Sequence, residues 1–382
     1  MPKSSNNAAQ SLALHKKLRG KIAVSLKTPI RNRTDLSLVY TPGVGAVSSA
    51  IARNKKLADA MTWKRNTVAI VSDGSAVLGL GNIGPLAALP VMEGKSAIFK
   101  QFTGIDAIPI VLSTQDPDEI VNTVVAIAPT FGAIQLEDIS APRCFDIEER
   151  LHHALDIPVM HDDQHGTAVV VLAALLNAAK IVKKPVDSLR VVIAGAGAAG
   201  TAIAKLLDSV GVDDIINTDR EGALWAGRPG LNVEKKKLAA FTNSGKQKGS
   251  LAEVVNGADV LIGTSGPGIV TPQMVRSMAK KAIVFALANP VPEIMPSLAK
   301  NAGAAIVATG RSDFPNQINN ALCYPGLFRG MLDHGIHKIT DDIKVRAAKA
   351  IADFVKRPTK DRIIPSMFDK GLHEAVAKSV RK

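Results

Sequence analysis

Acidic residues within positions 135–167 have the types and the spacing that suit a metal ion. Two acidic pairs, Glu137-Asp138 and Asp162-Asp163, each follow a short apolar run that predicts a buried strand. In α/β sheets, ligands collect at the carboxyl ends of such strands. Carboxylates gathered there without thiolates favour a hard divalent cation such as Mg²⁺ or Mn²⁺. The sequence therefore predicts an oxygen-ligated metal site at a sheet edge.

A glycine motif further along the chain predicts a bound dinucleotide. The pattern G-x-G-x-x-G occurs twice, as GLGNIG at Gly79–Gly84 and as GAGAAG at Gly195–Gly200. The second follows an apolar strand pattern, opens a helix and is followed by a strand that ends in an acid, the context that separates a dinucleotide site from a plain strand–helix turn. The first is followed by Pro85, so we interpret it as a tight loop on the substrate side. The predicted cofactor-binding turn comprises Gly195, Ala196, Gly197, Ala198, Ala199 and Gly200.

Each glycine of this turn has its own predicted role. Gly195 permits the tight bend, Gly197 lets the backbone approach the pyrophosphate, and Gly200 allows close packing of helix on strand. Asp219 ends the next strand, where it can accept from the adenosine ribose hydroxyls. Asp219 repels a 2′-phosphate whereas its neighbour Arg220 could pair with one, so NAD is preferred and NADP stays open. A metal site close to a redox cofactor indicates an enzyme.

The composition favours an α/β protein and argues against a nucleic-acid partner. A chain of 382 residues is long enough for two domains, each with its own core. Hydrophobic residues make up 46% of the chain and aromatic residues only 4%, which favours parallel α/β layers over a β-sandwich. The net charge of +13 comes from scattered basic residues without interleaved aromatics. We expect a solvated basic surface that attracts anionic substrates.

Cysteine usage and hydropathy indicate the compartment in which the protein works. Cys144 and Cys323 are the only cysteines, which excludes a disulfide framework and fits a reducing environment. The N-terminal residues are polar, and the longest apolar stretch, Ala168–Leu176, is too short to span a bilayer. We therefore expect a soluble, cytoplasmic protein with no membrane partner.

Apolar runs alternate with helical patterns along the chain. Strands are predicted at Thr67–Ser72 and Ile108–Leu112, followed by a helix that Asp116 caps. An apolar helix after Gly166 is expected to join two domains, and a helix capped by Thr340 returns near the C-terminus. Five later strands separated by helices predict a doubly wound nucleotide-binding domain, namely Leu189–Ala194, Ile215–Thr218, Val260–Gly263, Ile283–Ala288 and Ile306–Ala308.

An ordered set of motifs resembles the malic enzyme family, and more closely its compact bacterial members. The set runs from VYTPGV at Val39–Val44 to NNALCYPG at Asn319–Gly326, with SDGSAVLGLGNIG, MEGKSAIFK, QLED, HDDQHGTA, GAGAAG and FALANPVPE between them. The resemblance implies oxidation and decarboxylation of L-malate to pyruvate and CO₂, with reduction of NAD(P)⁺ and bound Mg²⁺ or Mn²⁺. It also implies a homodimer of chains with an N-terminal α/β substrate and metal domain (1–164), a doubly wound Rossmann NAD(P)-binding domain (165–320) and a C-terminal helical segment (321–382).

The resemblance assigns the cation to three carboxylates. Glu137, Asp138 and Asp163 match the family's metal ligands and leave positions on the ion for substrate and water. His161 and His165 flank the second acidic pair and could be mistaken for ligands. We expect oxygen ligands only.

The resemblance also assigns the general base that removes the C2 hydroxyl proton to Lys95 in MEGKSAIFK. An ordinary lysine, with a pKa of about 10.4, is charged at neutral pH, so a nearby cation and partial burial should favour its neutral form. Asp162 matches an acid that orients Lys95 or a metal-bound water. Lys100 is the competing lysine; if Ser96–Lys100 forms a strand, it points to the opposite face.

Three further residues match substrate-contacting positions. Tyr40 matches the acid that protonates C3, and the turn at Pro42-Gly43 would present its hydroxyl to a cleft. Tyr324, the other tyrosine, matches an aromatic packing position. Asn289 and Asn320 match residues that hydrogen-bond a substrate carboxylate or hydroxyl and approach the nicotinamide.

One departure from the family keeps other functions open. Larger members carry an arginine that binds a malate carboxylate where this chain has Ala76, and the group that replaces it is unidentified. An NAD-linked dehydrogenase of another 2-hydroxy acid is therefore an alternative. A third hypothesis, a basic nucleotide-binding module without catalysis, predicts salt-sensitive binding to RNA or DNA.

Overall fold

Two parallel sheets organise the chain in the computed structural model, which describes residues 4–381. The first sheet contains β1 (Thr67–Ser72), β2 (Asp106–Val111), β3 (Ala133–Leu136) and β4 (Val159–His161), in the order β2-β1-β3-β4. The second contains β5 (Val191–Ala194), β6 (Ile215–Asp219), β7 (Gly222–Ala223), β8 (Val260–Gly263), β9 (Ile283–Ala286) and β10 (Ile306–Thr309). Its order is β10-β9-β8-β5-β6-β7, and only β7 is antiparallel to its neighbour.

Helices connect and cover these strands. Those of the first half are α1 (Ser4–Leu18), α2 (Arg33–Val39), α3 (Val44–Arg53), α4 (Leu57–Met61), α5 (Pro85–Thr103), α6 (Pro117–Ile127), α7 (Arg143–Ala154) and α8 (Asp162–Val182). Those of the second half are α9 (Ala198–Asp208), α10 (Val233–Phe241), α11 (Leu251–Val254), α12 (Pro272–Ser277), α13 (Pro296–Asn301), α14 (Tyr324–His334), α15 (Asp341–Phe354) and α16 (Leu372–Ser379).

The second sheet confirms the predicted doubly wound fold. Strands β6 and β8 lie on opposite sides of β5, so the strand order reverses beside the turn that follows β5. A reversal of this kind opens a crevice at the carboxyl ends of the strands, where α/β proteins bind ligands. The predicted cofactor turn, Gly195–Gly200, lies at this crevice.

Helix α8 is the central buried element. One hydrophobic core contains side chains of the first sheet, of α8 and of the second sheet, for example Val68, Val171 and Val191. A second cluster, with Ile120 and Ile147, lies on the α6 and α7 side of the first sheet. Among the described helices, α8 alone is long and apolar enough to cross a membrane, but 72% of its most apolar window is buried inside the protein. It is the core helix that joins the two sheets.

Most predicted elements are confirmed, with shifts of a few residues at their ends. Asp116 caps α6 and Thr340 caps α15, as expected. The conditional strand at Ser96–Lys100 is wrong, because that segment continues α5, which has Pro85 in its first turn and a left-handed Gly104 at its end. The apolar helix begins before Gly166, at the acidic pair itself.

The predicted domain boundaries stay predictions. The first, between residues 164 and 165, falls in the first turn of α8. The second, between 320 and 321, falls in a short 3₁₀ turn, Asn320–Leu322. Residues 1–3 and 382, which the predicted domains include, lie outside the described residues.

Candidate active site

Parallel strand pairing brings the two acidic pairs together. Strand β3 leads directly into Glu137 and Asp138, and β4 leads directly into α8, whose first turn carries Asp162 and Asp163. The two strands are in register with Leu136 opposite His161, so both acidic segments leave the same sheet edge. One carboxylate oxygen each from Glu137, Asp138 and Asp163 lies within 4.8 Å of the others.

The electrostatics of these three acids fit a divalent cation. Burial and then repulsion from its neighbours raise the pKa of Asp138 to about 9, and burial raises the pKa of Asp163 to about 6. Burial, opposed by Lys95 and reinforced by Asp163, raises the pKa of Glu137 to about 7. One oxygen of Asp138 is buried and has no hydrogen-bond partner. A buried, oxygen-only group of this kind is unfavourable alone and suits Mg²⁺ or Mn²⁺.

Lys95 lies at the centre of this group. Helix α5 places its Nζ 2.6 Å from Asp162 Oδ2, 2.8 Å from Glu137 Oε1 and 3.3 Å from Asn320 Oδ1. Burial lowers the pKa of this ammonium, but the charges of Asp162 and Glu137 dominate and raise it well above its usual value. The expected shift toward neutral Lys95 is therefore absent without a cation, because the acids outweigh burial. Lys100 is exposed and pairs with Asp106 on the surface.

The two tyrosines lie in very different environments, and Tyr324 packs on Phe99 as its predicted aromatic position implies. Tyr324 is fully buried, its ring centroid is 4.6 Å from Lys95 Nζ, and its hydroxyl has no hydrogen-bond partner. Tyr40, at the end of α2, is 63% exposed, and its hydrogen bonds within the described residues are backbone bonds to Leu36 and Val44. Among the described residues the hydroxyl of Tyr40 makes no hydrogen bond to Lys95, and α2 lies on an exposed N-terminal segment.

Two glycines leave space for the site. A Cβ at Gly166 would overlap Asp162 Oδ1 and lie 3.2 Å from Asn320 Cβ. A Cβ at Gly79, in the first glycine motif, would overlap the backbone carbonyl oxygen of Asn289. The GLGNIG loop thus packs against the loop that carries Asn289, which brings the two halves of the chain into contact.

The second glycine motif has the geometry of a dinucleotide turn. Gly195 has a φ of +145°, and a Cβ there would overlap Thr264 Oγ1 beyond β8. A Cβ at Gly200 would overlap the carbonyl oxygen of Gly195, so this glycine permits close packing of α9. Nothing lies within 4 Å of a Cβ at Gly197, which opens the N-terminus of α9 to a phosphate.

Asp219 is held by two cations that the sequence reasoning missed. Arg228 Nη2 lies 2.8 Å from Oδ1 and 2.9 Å from Oδ2 of Asp219, and Lys235 Nζ lies 2.6 Å from Oδ2. Burial opposes ionisation, but these hydrogen bonds lower the pKa of Asp219 overall. The predicted ribose acceptor is therefore already ion-paired. No sequence pattern joins Asp219 to partners on a later loop and on α10.

Of the two histidines beside the acids, only His165 has a hydrogen-bonded side-chain partner among the described residues. His165 Nε2 pairs with the buried Glu148 at 3.0 Å. His161 Nε2 lies 3.3 Å from Asp163 Oδ2 but lacks hydrogen-bond geometry. Neither belongs to the group of three oxygens that could hold a metal. Sequence reasoning also missed Glu148, which resembled one more surface acid in a charged helix.

Comparison with known proteins identifies the family. Residues 19–152 match the model of the malic enzyme N-terminal domain, and residues 164–380 match that of the malic enzyme NAD binding domain. The chain belongs to the malic enzyme family. An NAD-dependent malic enzyme of Geobacillus stearothermophilus is 55% identical over 94% of this chain and 76% of its own length. An NADP-dependent malic enzyme of Salmonella typhimurium is 46% identical over 92% of this chain, which spans 47% of that protein.

The fold agrees with a solved relative. The crystal structure of the NAD-dependent malic enzyme of Thermotoga maritima superposes with a TM-score of 0.94 at 48% identity, covering 97% of this chain and 98% of that one. The α/β fold with a Rossmann-like NAD-binding domain is thereby confirmed, and so is the resemblance that the motifs indicated.

Proposed function

We propose that this malic enzyme family member converts L-malate to pyruvate and CO₂ while it reduces NAD(P)⁺, with Mg²⁺ or Mn²⁺ held by Glu137, Asp138 and Asp163. The observation that carries the proposal is the convergence of these acids with Lys95, whose amine lies within hydrogen-bond distance of Glu137 and Asn320. When bound, the cation would supply positive charge to the substrate's oxygens and the nicotinamide would supply a hydride acceptor.

The protein's own residues handle the protons and the substrate's orientation. With a cation offsetting the charges of the acids, Lys95 would be present as the neutral amine and accept the C2 hydroxyl proton, while Asp162, at 2.6 Å, holds that amine in place. Asn289 and Asn320 hydrogen-bond the substrate where the two halves of the chain meet. Tyr40 gives the proton that C3 receives after CO₂ leaves.

The role of Tyr40 requires an assembly larger than the single chain as it is folded. Apolar side chains are exposed along the N-terminal segment that carries it, including Leu12, Val24, Leu26 and Leu38. We propose that a second copy of the chain covers this surface and that the active enzyme is a homodimer. Sedimentation in solution tests the oligomeric state, and a monomer that is fully active would contradict it.

The preferred cofactor is proposed to be NAD. Asp219 at the end of β6 disfavours a 2′-phosphate, although its ion pairs with Arg228 and Lys235 reduce that repulsion. Use of NADP at a lower rate is expected for the same reason. We also propose a cytoplasmic location, supported by two free cysteines. Binding to RNA or DNA at physiological salt would contradict the expectation of no nucleic-acid partner.

One experiment tests reaction, cofactor and metal together. Initial rates are measured with malate and NAD⁺ or NADP⁺, with Mn²⁺ and with a chelator, and pyruvate is assayed as product. We expect reduction with both cofactors, faster with NAD⁺, and loss of the rate with chelator. Folded protein that reduces neither cofactor would refute the proposal. Oxidation of another 2-hydroxy acid at a higher kcat/KM would favour the alternative that Ala76 leaves open.

A further inference from the structure

The carboxylate of Glu148 is buried behind the acid group and takes no part in the proposed reaction. It lies on α7 and is 5% exposed. Its Oε1 accepts from the backbone N–H of His161 at 2.7 Å, and its Oε2 accepts from Gln164 Nε2 at 2.9 Å. The same oxygen lies 3.0 Å from His165 Nε2. All three contacts reach the segment that carries the second acidic pair.

A buried lysine on the C-terminal helix α15 determines the proton position on His165. Lys344 is 8% exposed, and its Nζ lies 3.3 Å from His165 Nδ1 and 2.6 Å from Asp341 Oδ1. Because an ammonium only donates, Nδ1 of His165 accepts, and its Nε2 carries the proton that is donated to Glu148. Both oxygens of Glu148 are therefore acceptors. This chain of contacts connects α15 to the start of α8.

Helix α8 has no cap of its own at this point. Its N-cap residue, His161, makes no side-chain capping hydrogen bond. The first turn nevertheless carries Asp162 and Asp163, and one oxygen of Asp163 lies within 4.8 Å of oxygens of Glu137 and Asp138. When these acids are ionised, their mutual repulsion favours movement of the turn away from β3. The hydrogen bonds that Glu148 accepts oppose that movement, and so does the one that Asp138 N–H donates to Asp163 Oδ2 at 2.9 Å.

We propose that Glu148 is a positioning residue for the cation site, which holds the start of α8 so that Asp163 faces Glu137 and Asp138. Lys344 contributes by fixing the donor on His165. The inference rests on the proposed function, because it assumes a divalent cation at these three acids. Groups that orient metal ligands change metal affinity by about 10-fold to 100-fold when they are altered.

The substitution Glu148→Gln removes the negative charge and one acceptor oxygen but keeps the size and shape of the side chain. A glutamine has one acceptor oxygen and one NH₂ donor, whereas the three partners of Glu148 are all donors. In either orientation of the amide, one buried donor is left without an acceptor or faces another donor. The variant should keep the fold and loosen the start of α8. Glu149→Gln is the matched control, because the neighbouring Glu149 is exposed.

The test is a calorimetric titration of metal-free protein with Mn²⁺, without malate or nucleotide. We expect Glu148→Gln to raise the Kd for Mn²⁺ about 10-fold or more, and Glu149→Gln to leave it unchanged. The Kd for NAD⁺ should not change, because the hydrogen bonds that Glu148 accepts come from residues 161–165 and not from the Gly195–Gly200 turn. A parallel loss of NAD⁺ binding would indicate general unfolding of this variant, in which case Lys344→Met provides the test.

The outcomes separate this inference from the proposed function. If wild type binds Mn²⁺ and oxidises malate while Glu148→Gln matches it, the inference is wrong and the function stands. If wild type binds no Mn²⁺, the proposed function itself is wrong. If Glu148→Gln fails to fold, Lys344→Met decides the matter, with at least about a twofold rise in the Kd for Mn²⁺ expected and an unchanged Kd overturning the inference.

Discussion

The acid group surrounds Lys95, proposed for the first proton transfer, and the N-terminal segment carries Tyr40, proposed for the last. The two regions are organised very differently. The acids follow paired parallel strands, are buried or, for Asp163, half-buried, and have partners on α5 and α8. Helices α2, α3 and α4 of the N-terminal segment bury no residue, and Tyr40 is 63% exposed. Strand pairing fixes the relative positions of residues at the ends of a sheet. Residues on exposed helices are positioned only when another surface packs against those helices.

Of all the substitutions, we expect one in the buried acid group, at Lys95, to lower activity the most. Lys95→Ala should lower kcat/KM for malate oxidation by at least about 100-fold, because it removes the group that accepts the C2 proton. Lys100→Ala is the matched control, since Lys100 lies on the same helix but is exposed. Stopped-flow measurement of nicotinamide reduction gives the rate. Equal losses of kcat/KM in both variants would show that the effect comes from the positive charge on α5 and not from the position of Lys95.

Substitution of each tyrosine tests whether the exposed N-terminal segment takes part in catalysis. Tyr40→Phe should spare malate oxidation and slow protonation at C3 by about 100-fold or more, because only the later step uses the hydroxyl. Tyr324→Phe removes a buried hydroxyl without a partner, so it should change neither partial reaction by more than a few-fold. Malate oxidation and pyruvate release from oxaloacetate are measured separately. If Tyr324→Phe slowed protonation at C3 and Tyr40→Phe did not, the proton donor would be Tyr324.

A pair of glycines sharpens the contrast between the two regions. Gly166→Ala places a methyl group against Asp162 Oδ1, and a displacement of about 1 Å at a catalytic group can cost about 100-fold in rate. This loss should occur although alanine favours a helix by about 1 kcal/mol over glycine. Gly45→Ala, on α3, meets nothing within 4 Å and should leave kcat/KM unchanged. The test is to measure kcat/KM and the thermal unfolding midpoint of both variants.

Sequence reasoning succeeded where local pattern determines structure. Apolar runs such as Thr67–Ser72 predicted strands, and acids at their carboxyl ends predicted a shared edge, because parallel strands end on the same side. It was wrong at Ser96–Lys100, because a short apolar run does not distinguish a strand from a buried helix.

Contacts between distant segments left no signal in the sequence. Arg228 and Lys235 reach Asp219 from a loop and from α10, and Glu148 reaches His161 from α7. None of these pairs has a periodicity or a motif that predicts it. The exposure of Tyr40 was also unpredictable, because its motif describes chemistry and says nothing of the surface that the N-terminal segment packs on.

The smallest expected effect is a pH dependence of stability that the cation removes. In the metal-free protein, burial and neighbouring acids raise the pKa of Asp138 from 3.8 to about 9. The folded state then binds the proton more tightly than the unfolded state, so stability is greatest below the unfolded pKa and falls as pH rises through the folded one. Between pH 6 and pH 8 we expect a loss of up to about 1.4 kcal/mol per pH unit, measured by urea unfolding. Saturating Mn²⁺ should abolish the slope, because it balances the ionised acids, and Asp138→Asn should reduce it without metal. A slope that persists unchanged with Mn²⁺ would mean that the buried acids are not where the cation binds.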